Sequence, residues 1–386
     1  MSRRILIFSL AYYPKHVGGA EVAIKEITDR NPDIEFDMLT AKLVSGLSSF
    51  ERIGNVNVHR LGMGSSVDKI LFPMIGTWKA ILLHRTRHYD LFWAMMVTFS
   101  SGVPYIMNIL RRVVGLPKVP VILTLQEGDS REHIRRKRFG LIGLSWKCAL
   151  LRTDLVTVIS RYLEGEARAY GYHGPVALVP NGVDVAAFTK PSGFARIEVR
   201  KELGFSESDR VIVTASRLVL KNAVGDLVEA LTYMPEDVKL LVIGSGELED
   251  SLKKSAAYFG VASRVVFKGF VPHKDLPRYL HACDVFVRAS LSEGFGNSFV
   301  EAMAAGVPVV ATPVGGIVDF LRDKETGLFC EPGKPEDIAR KIEIYLHDRI
   351  LRDEIVENAR VMVLARYDWN LVAKDMRVKA FDILKP

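Results

Sequence analysis

Apolar residues in this chain gather in short unbroken runs, separated by polar loops and by stretches with helical spacing. The run "RILIFSL" (4–10) is continuous, not alternating, which is the pattern of a parallel strand covered on both faces. A loop ending in Gly18-Gly19 follows it, then a helical pattern from about Glu21. Further strands are expected at "IEFDMLT", "VNVHRL", "DLFWAMM", "PVILTLQ", "LVTVIS" and "VALVP". This alternation predicts a doubly wound α/β domain over residues 1–180. The segment "NGVDVAAFTKPSGF" (181–194) breaks the rhythm with Asn-Gly and Pro and reads as a linker. A second series starts at "RVIVTAS" and runs through "VKLLVIGSG", "RVVFKGF", "CDVFVRAS", "VPVVATP" and "TGLFCEP". It predicts a second α/β domain over 195–366. The end, 367–386, holds the amphipathic pattern "WNLVAKDMRVKAFDIL", with Leu371, Met376, Val378 and Phe381 among its apolar members. This helix is expected to pack back on the first domain.

One run needs separate treatment. Residues 91–110 carry no charge and are nearly long enough to span a bilayer. Ser100, Ser101, Gly102 and Pro104 interrupt them, so a buried strand, a turn and a helix are expected instead. The N-terminal apolar run is too short for a secretory signal.

Length agrees with two domains, since 386 residues exceed one ordinary core. The net charge of +7 favours anionic partners. Cys148, Cys283 and Cys330 form neither a metal-ligand spacing nor a disulfide framework. They are expected as small core residues in a reducing cytoplasm.

In the second domain several loops should share one sheet edge. They are the loop with Arg217 and Lys221, "GSGE" with Gly244 and Gly246, and "SEGFGNS" with Glu293. Glycine and serine at strand ends leave helix N-terminal amides open to an anion. Arg217 and Lys221 add charged donors, which suits a diphosphate.

These segments resemble glycosyltransferases of the GT-B fold, of the family 4 type (glycosyl transferases group 1). "PKHVGGAEV" resembles the family's glycine loop, "VPNGVD" its interdomain linker and "ASRLVLKNAVGDLVEAL" its Arg/Lys loop. "CDVFVRASLSEGFGNSFVEAMAAGVPVVAT" resembles its E-x7-E segment. The resemblance implies two Rossmann-like domains facing across a deep cleft, with the nucleotide-sugar donor bound there. It implies hexosyl transfer with retention of configuration, and neither a catalytic metal nor a cofactor.

Carried over residue by residue, the resemblance sets Glu301 on the donor ribose and Glu293 near the donor sugar. The backbone of Gly294, Phe295, Gly296, Asn297 and Ser298 faces sugar and phosphates. Arg217 and Lys221 neutralise the diphosphate. Phe270 and Val271, in "KGFVP", border the base, and Gly18 and Gly19 let the first domain's backbone approach. Two positions depart from the pattern. Gln126 and Glu127 stand in the setting where the family has a histidine, and Gln126 can donate a hydrogen bond there. The family's lysine more often aligns with Asn222, which can take part of the phosphate contact from Lys221.

Each assignment has a structural rival. Glu301 follows Ser298 by three residues, as in a capping box. Glu293 could be a solvated loop carboxylate, and Arg217 the partner of Asp226, with the functional role favoured for both. His16 is a candidate general base, which would imply inversion. Asp129 could orient an acceptor or cap a helix. Residues 131–152 set Arg131, Arg135, Arg136, Lys137 and Arg138 beside an apolar run with Trp146. They are expected either as a solvated face leading into a core helix or as a basic surface for anionic lipid.

The expected function is a cytoplasmic, peripherally membrane-associated transferase, moving a sugar to a glycan or lipid-linked acceptor. A nucleotide-sugar epimerase on the same fold is one alternative. A basic nucleotide- or nucleic-acid-binding module is the other. That module would want a continuous basic stripe with exposed aromatics, whereas the basic cluster here is confined to one segment, so nucleic acid is not an expected partner.

Overall fold

A computed structural model describes residues 2–97, 99–128, 141–189 and 193–384. The chain forms two compact units, Met1–Asn181 together with Trp369–Pro386, and Gly182–Asp368.

The first unit is built on one sheet of β1 (Arg3–Phe8), β2 (Ile34–Ala41), β3 (Phe50–Ile53), β4 (Val56–Leu61), β5 (Leu91–Met95), β6 (Val121–Leu125), β7 (Leu155–Val158) and β8 (Val176–Leu178). The spatial order is β3-β4-β2-β1-β5-β6-β7-β8. All pairs are parallel except β3 with β4, where Phe50 opposes His59. The sequence pattern did not predict β3, a four-residue edge strand. The run 91–110 resolves into β5 and the helix Gly102–Val113. Parallel strands need covering on both faces, and the central residues Ile5, Ile7, Leu91, Trp93 and Ile122 are fully buried.

The C-terminal helix Trp369–Met376 joins this unit's core. Trp369, Val372, Met376, Ala380 and Phe381 pack with Ile24, Ile27, Phe36 and Trp93. Leu371 and Val378, which the apolar pattern also includes, are exposed. The buried set at 369, 372, 376 and 380 follows a helical period that leaves those two on the solvent side.

The second unit carries β9 (Arg210–Ala215), β10 (Val238–Ile243), β11 (Val265–Gly269), β12 (Val285–Arg288), β13 (Val309–Ala311) and β14 (Leu328–Phe329). Their order is β11-β10-β9-β12-β13-β14, all parallel. This is the Rossmann order, with the direction of winding reversing between β9 and β12. The sequence region read as a linker contains the short helix Val185–Phe188, which belongs to this unit.

Cys283 and Cys330 are buried, and burial pushes both thiols up, Cys330 to about 12. Cys148 is exposed, against the expectation of a core residue. Among the described residues no helix is long and apolar enough to cross a membrane.

Candidate active site

In an open parallel sheet the carboxyl ends of all strands share one edge, and the reversal between β9 and β12 opens a crevice there. The loop after β9 carries Arg217, Lys221 and Asn222. The loop after β12 carries Glu293 and leads into the helix Asn297–Ala304. The Rossmann order therefore brings these two loops together.

A third arginine joins them. Arg288, the last residue of β12, is buried. Its Nη2 donates to Asn222 Oδ1 at 2.9 Å, and Nη1 donates to Ser298 Oγ at 3.2 Å. The same guanidinium forms an ion pair with Glu293. Glu293 Oε1 also accepts from the Gly294 amide at 3.0 Å, and its carbonyl accepts from Gly316 N at 3.0 Å. Glu293 is thus not a solvated loop carboxylate. Asn222 is committed too, because its Nδ2 donates to the Arg217 carbonyl at 2.6 Å. Its side-chain amide is thus used at both ends to hold the loop. The Lys221 carbonyl accepts from Leu291 N at 2.7 Å, a second tie between the two loops.

Arg217 itself is exposed and makes no ion pair among the described residues. Asp226, the rival partner, has a raised pKa caused by burial and then by Glu229. Gly244 and Gly246 are explained by loop packing. A Cβ on Gly244 would lie 1.9 Å from Ser216 O, and one on Gly246 would lie 2.4 Å from Leu218 O. Leu218 N donates to Ser245 O at 3.0 Å, and Leu248 N to Leu218 O at 3.1 Å. The two loops therefore press backbone to backbone, which only glycine permits.

Glu301 is buried and its Oε1 lies 2.9 Å from His273 Nε2. The capping-box reading fails. The N-cap of the helix Asn297–Ala304 is Gly296, at φ 93°, with no side chain to give. Glu301 lies beyond the first turn and points to the loop after β11. His273 in turn packs against Phe188, with centroids 5.6 Å apart and the rings tilted by 52°. Phe270 is exposed beside the partly buried Val271. Phe295 is a correction of another kind. The residue is 1% exposed and its ring packs edge-on to Phe320 at 5.2 Å, so the ring belongs to the core and is not open to a donor. Asn297 and Ser298 open the helix Asn297–Ala304, whose first-turn amides point out of its N-terminus.

In the first unit, Gly18 is the N-cap of the helix Gly19–Asp29, and its amide donates to Glu21 Oε2 at 2.9 Å. Both glycines are exposed. His16 is half-buried, with its Nε2 buried and lacking a hydrogen bond among the described residues. Burial, then Lys69, holds its pKa below the ordinary value. Gln126 does not present a free amide. Its Nε2 donates to Asn181 Oδ1 at 3.1 Å, and its Oε1 accepts from Asn181 Nδ2 at 3.2 Å. Glu127 accepts from the amides of Val97 and Gln126, tying the ends of β5 and β6. Asp129 and the basic cluster Arg131–Arg138 lie outside the described residues. Trp146, counted with that cluster in the sequence, is a core residue whose ring packs at a tilt against Tyr170.

Sequence reasoning missed Arg288 and His273. Arg288 had a signal, as the only charge at the end of an otherwise apolar strand run, "VFVRAS". His273 had none, because its partner is 28 residues away. Among the described residues no group of three or more His, Cys, Asp or Glu is set to hold a metal ion.

Comparison with known proteins agrees with this arrangement. Residues 195–362 match the family model for glycosyl transferases group 1, and residues 17–187 match that for glycosyltransferase family 4. An uncharacterized glycosyltransferase of Methanocaldococcus jannaschii is 27% identical, over 96% of each chain. A GDP-mannose-dependent monoacylated alpha-(1-6)-phosphatidylinositol monomannoside mannosyltransferase of Corynebacterium glutamicum is 31% identical, over 57% of this chain and 60% of that one. The sucrose-phosphate synthase structure from Thermosynechococcus elongatus superposes with a TM-score of 0.85 at 21% identity, covering 99% of both chains. Two adjoining family models that together span most of the chain, and a shared two-unit fold, lead to one conclusion: the chain belongs to the group 1 glycosyltransferases of the family 4 type and has the GT-B fold.

Proposed function

We propose that the protein transfers a hexosyl group from a nucleotide-diphosphate sugar to a hydroxyl of a glycan or lipid-linked acceptor, with retention and without a catalytic metal. One observation carries this reading. At the reversal between β9 and β12, the Arg217–Lys221 loop, the amides opening the helix Asn297–Ala304 and the buried carboxylate Glu301 converge on one sheet edge.

The chemistry follows from that set. Glycosyl transfer passes through an oxocarbenium-like state while negative charge grows on the departing diphosphate. Arg217, Lys221 and the helix amides supply fixed countercharge there, in the place a metal would otherwise fill. Glu301 accepts from the ribose hydroxyls, exchanging its His273 contact for the donor. Arg288 holds Glu293 beside the sugar. With no nucleophile assigned, retention requires the acceptor hydroxyl to attack on the face the diphosphate leaves, and a diphosphate oxygen takes its proton.

The test has three arms. A thermal-shift screen with UDP-, GDP- and ADP-sugars identifies the donor, since a ligand at a hundred times its dissociation constant adds about 2.7 kcal/mol. Glu301→Gln should weaken that donor ten- to a hundredfold, because a hydrogen bond to a charged group contributes about 1.5–3 kcal/mol. Turnover should persist in EDTA and give the retained anomer by NMR. Donor consumption without acceptor and with no free sugar released would point to epimerisation instead.

A further inference from the structure

The helix Asp68–Arg87 packs against the helix Gly102–Val113, where a Cβ on Gly76 would lie 3.0 Å from Val103 Cγ2. It buries Phe72 but also leaves large apolar side chains in solvent. Among its buried residues are the small Gly76, Thr77 and Ala80, while Ile70, Met74 and Trp78 are 66%, 76% and 64% exposed. The exposed three are spaced i, i+4, i+8 and form one stripe. The neighbouring helix does the same with Ile106, Ile109 and Val113 at i, i+3, i+7, and Val113 is 78% exposed. Trp78 stands out further. The other three tryptophans, Trp93, Trp146 and Trp369, are each at most 2% exposed. Apolar stripes exposed on two helices that pack together mark an interaction face.

The charges around the stripes identify the partner. From 69 to 118 the chain holds seven Lys and Arg residues and one acid, Asp90. Asp90 is occupied by the Arg4 amide at 2.8 Å. Lys69, Lys79, Arg85 and Arg112 make no ion pair among the described residues. An isologous contact with a second copy would set these cations against themselves. An anionic bilayer meets both features at once. Its acyl boundary takes the apolar side chains, and its headgroups take lysines and arginines that extend along the surface.

We propose that the helices Asp68–Arg87 and Gly102–Val113 form the face by which this protein docks on an anionic lipid surface, with Met74 and Trp78 inserted and Lys69, Arg85 and Arg112 on the headgroups. Burial, then Lys69, lowers the pKa of His16, but both helices lie in the first unit, whereas Arg217, Glu293 and Glu301 lie in the second. The inference therefore stands or falls apart from the reading of the reaction.

Trp78 is a built-in reporter. Wild-type protein should sediment with vesicles of phosphatidylcholine and phosphatidylglycerol, with a blue shift of tryptophan emission, and bind pure phosphatidylcholine weakly. Met74→Glu/Trp78→Glu should reduce sedimentation more than tenfold. Lys69→Glu/Arg85→Glu/Arg112→Glu should do the same while keeping Trp78 as the reporter, since each cation near an anionic surface contributes separately. All these positions are solvent-facing, so melting temperatures should stay at the wild-type value. Arg135→Glu/Arg136→Glu/Arg138→Glu should bind like wild type. Equal vesicle binding by all variants overturns the proposal, as does loss only in the 135–138 variant. A wild-type dimer by light scattering that becomes monomeric in Met74→Glu/Trp78→Glu, without vesicle binding by either, would assign the face to a protein partner instead.

Discussion

Arg288 and Glu293 form a buried ion pair at the carboxyl end of β12, and the same guanidinium reaches Asn222 at 2.9 Å in the loop after β9. One side chain thus fixes two loops of the candidate site. Removing one member of a buried pair leaves the other charge without compensation, at a cost of about 3–5 kcal/mol. Arg288→Met should lose about that much in denaturant unfolding. Arg288→Met/Glu293→Gln should lose less than the two single changes combined, because the pair acts as a unit. Additive losses would mean that the two side chains do not support each other.

The strands were legible because a parallel strand covered on both faces is a continuous apolar run, as in "RILIFSL" and "KLLVI". β3 was not. It is four residues long, lies at an edge, and leaves Phe50 54% exposed, so nothing in its pattern demands burial. The site was legible as loops and illegible as contacts. Arg217 and Glu293 could be placed on one sheet edge from the order of strands. That Arg288 spans to Asn222, 66 positions back, depends on how β9 and β12 come to lie side by side. Phe295 shows the opposite error. It sits between two glycines in a loop of the candidate site, yet its ring turns into the core against Phe320 and Tyr367.

That error yields its own test. Truncating a fully buried phenylalanine costs about 3–5 kcal/mol, so Phe295→Ala should destabilise the protein by that order. Phe295→Leu should fold and bind the donor nearly as wild type, since the ring it replaces is buried in the core. A large loss of donor affinity in stable Phe295→Leu protein would return the ring to the site.

Gly315 should tolerate alanine less well than Gly333. Both lie at positive φ, 56° and 67°, which costs a residue with a Cβ about 1–2 kcal/mol. At Gly333 the added atom meets nothing within 4 Å, whereas at Gly315 it would lie 1.9 Å from Glu293 O. Gly315→Ala must therefore push the Glu293 loop aside. It should be the less stable variant by thermal melting, and the only one of the two with weakened donor binding.

His84 should make the first unit sensitive to acid. Burial, then Arg111, lowers its pKa to about 4, and its Nδ1 accepts from the Tyr89 amide at 3.2 Å, a bond that only the neutral ring can make. The unfolded chain titrates near the ordinary value of about 6.5. Between these two values the unfolded state holds a proton that the folded state does not. The contribution is thus complete above about pH 6.5 and is lost as the pH falls toward about 4. His84→Gln retains an acceptor for Tyr89 and cannot take up the proton. Its urea midpoint should fall less than that of wild type between neutral and acid pH, and equal falls would show that other groups govern the acid side.

Phe381 and Leu371 lie on the same C-terminal segment and share an apolar pattern, but the structure separates them. Phe381 is fully buried, 5.3 Å from the Trp93 ring and 6.0 Å from that of Phe36, whereas Leu371 is 41% exposed. The segment therefore completes the first unit's core although it follows the whole second unit in the chain. Phe381→Ala should cost about 3–5 kcal/mol, from lost transfer energy and the cavity left beside Trp93. Leu371→Ala should stay within about 0.5 kcal/mol, as surface changes usually do. Because Trp93 is the ring that would be uncovered, Phe381→Ala should also make tryptophan emission easier to quench with acrylamide. If Leu371→Ala proves the costlier change, the helix packs by its other face, and the core drawn around Phe36 and Trp93 is closed by something else.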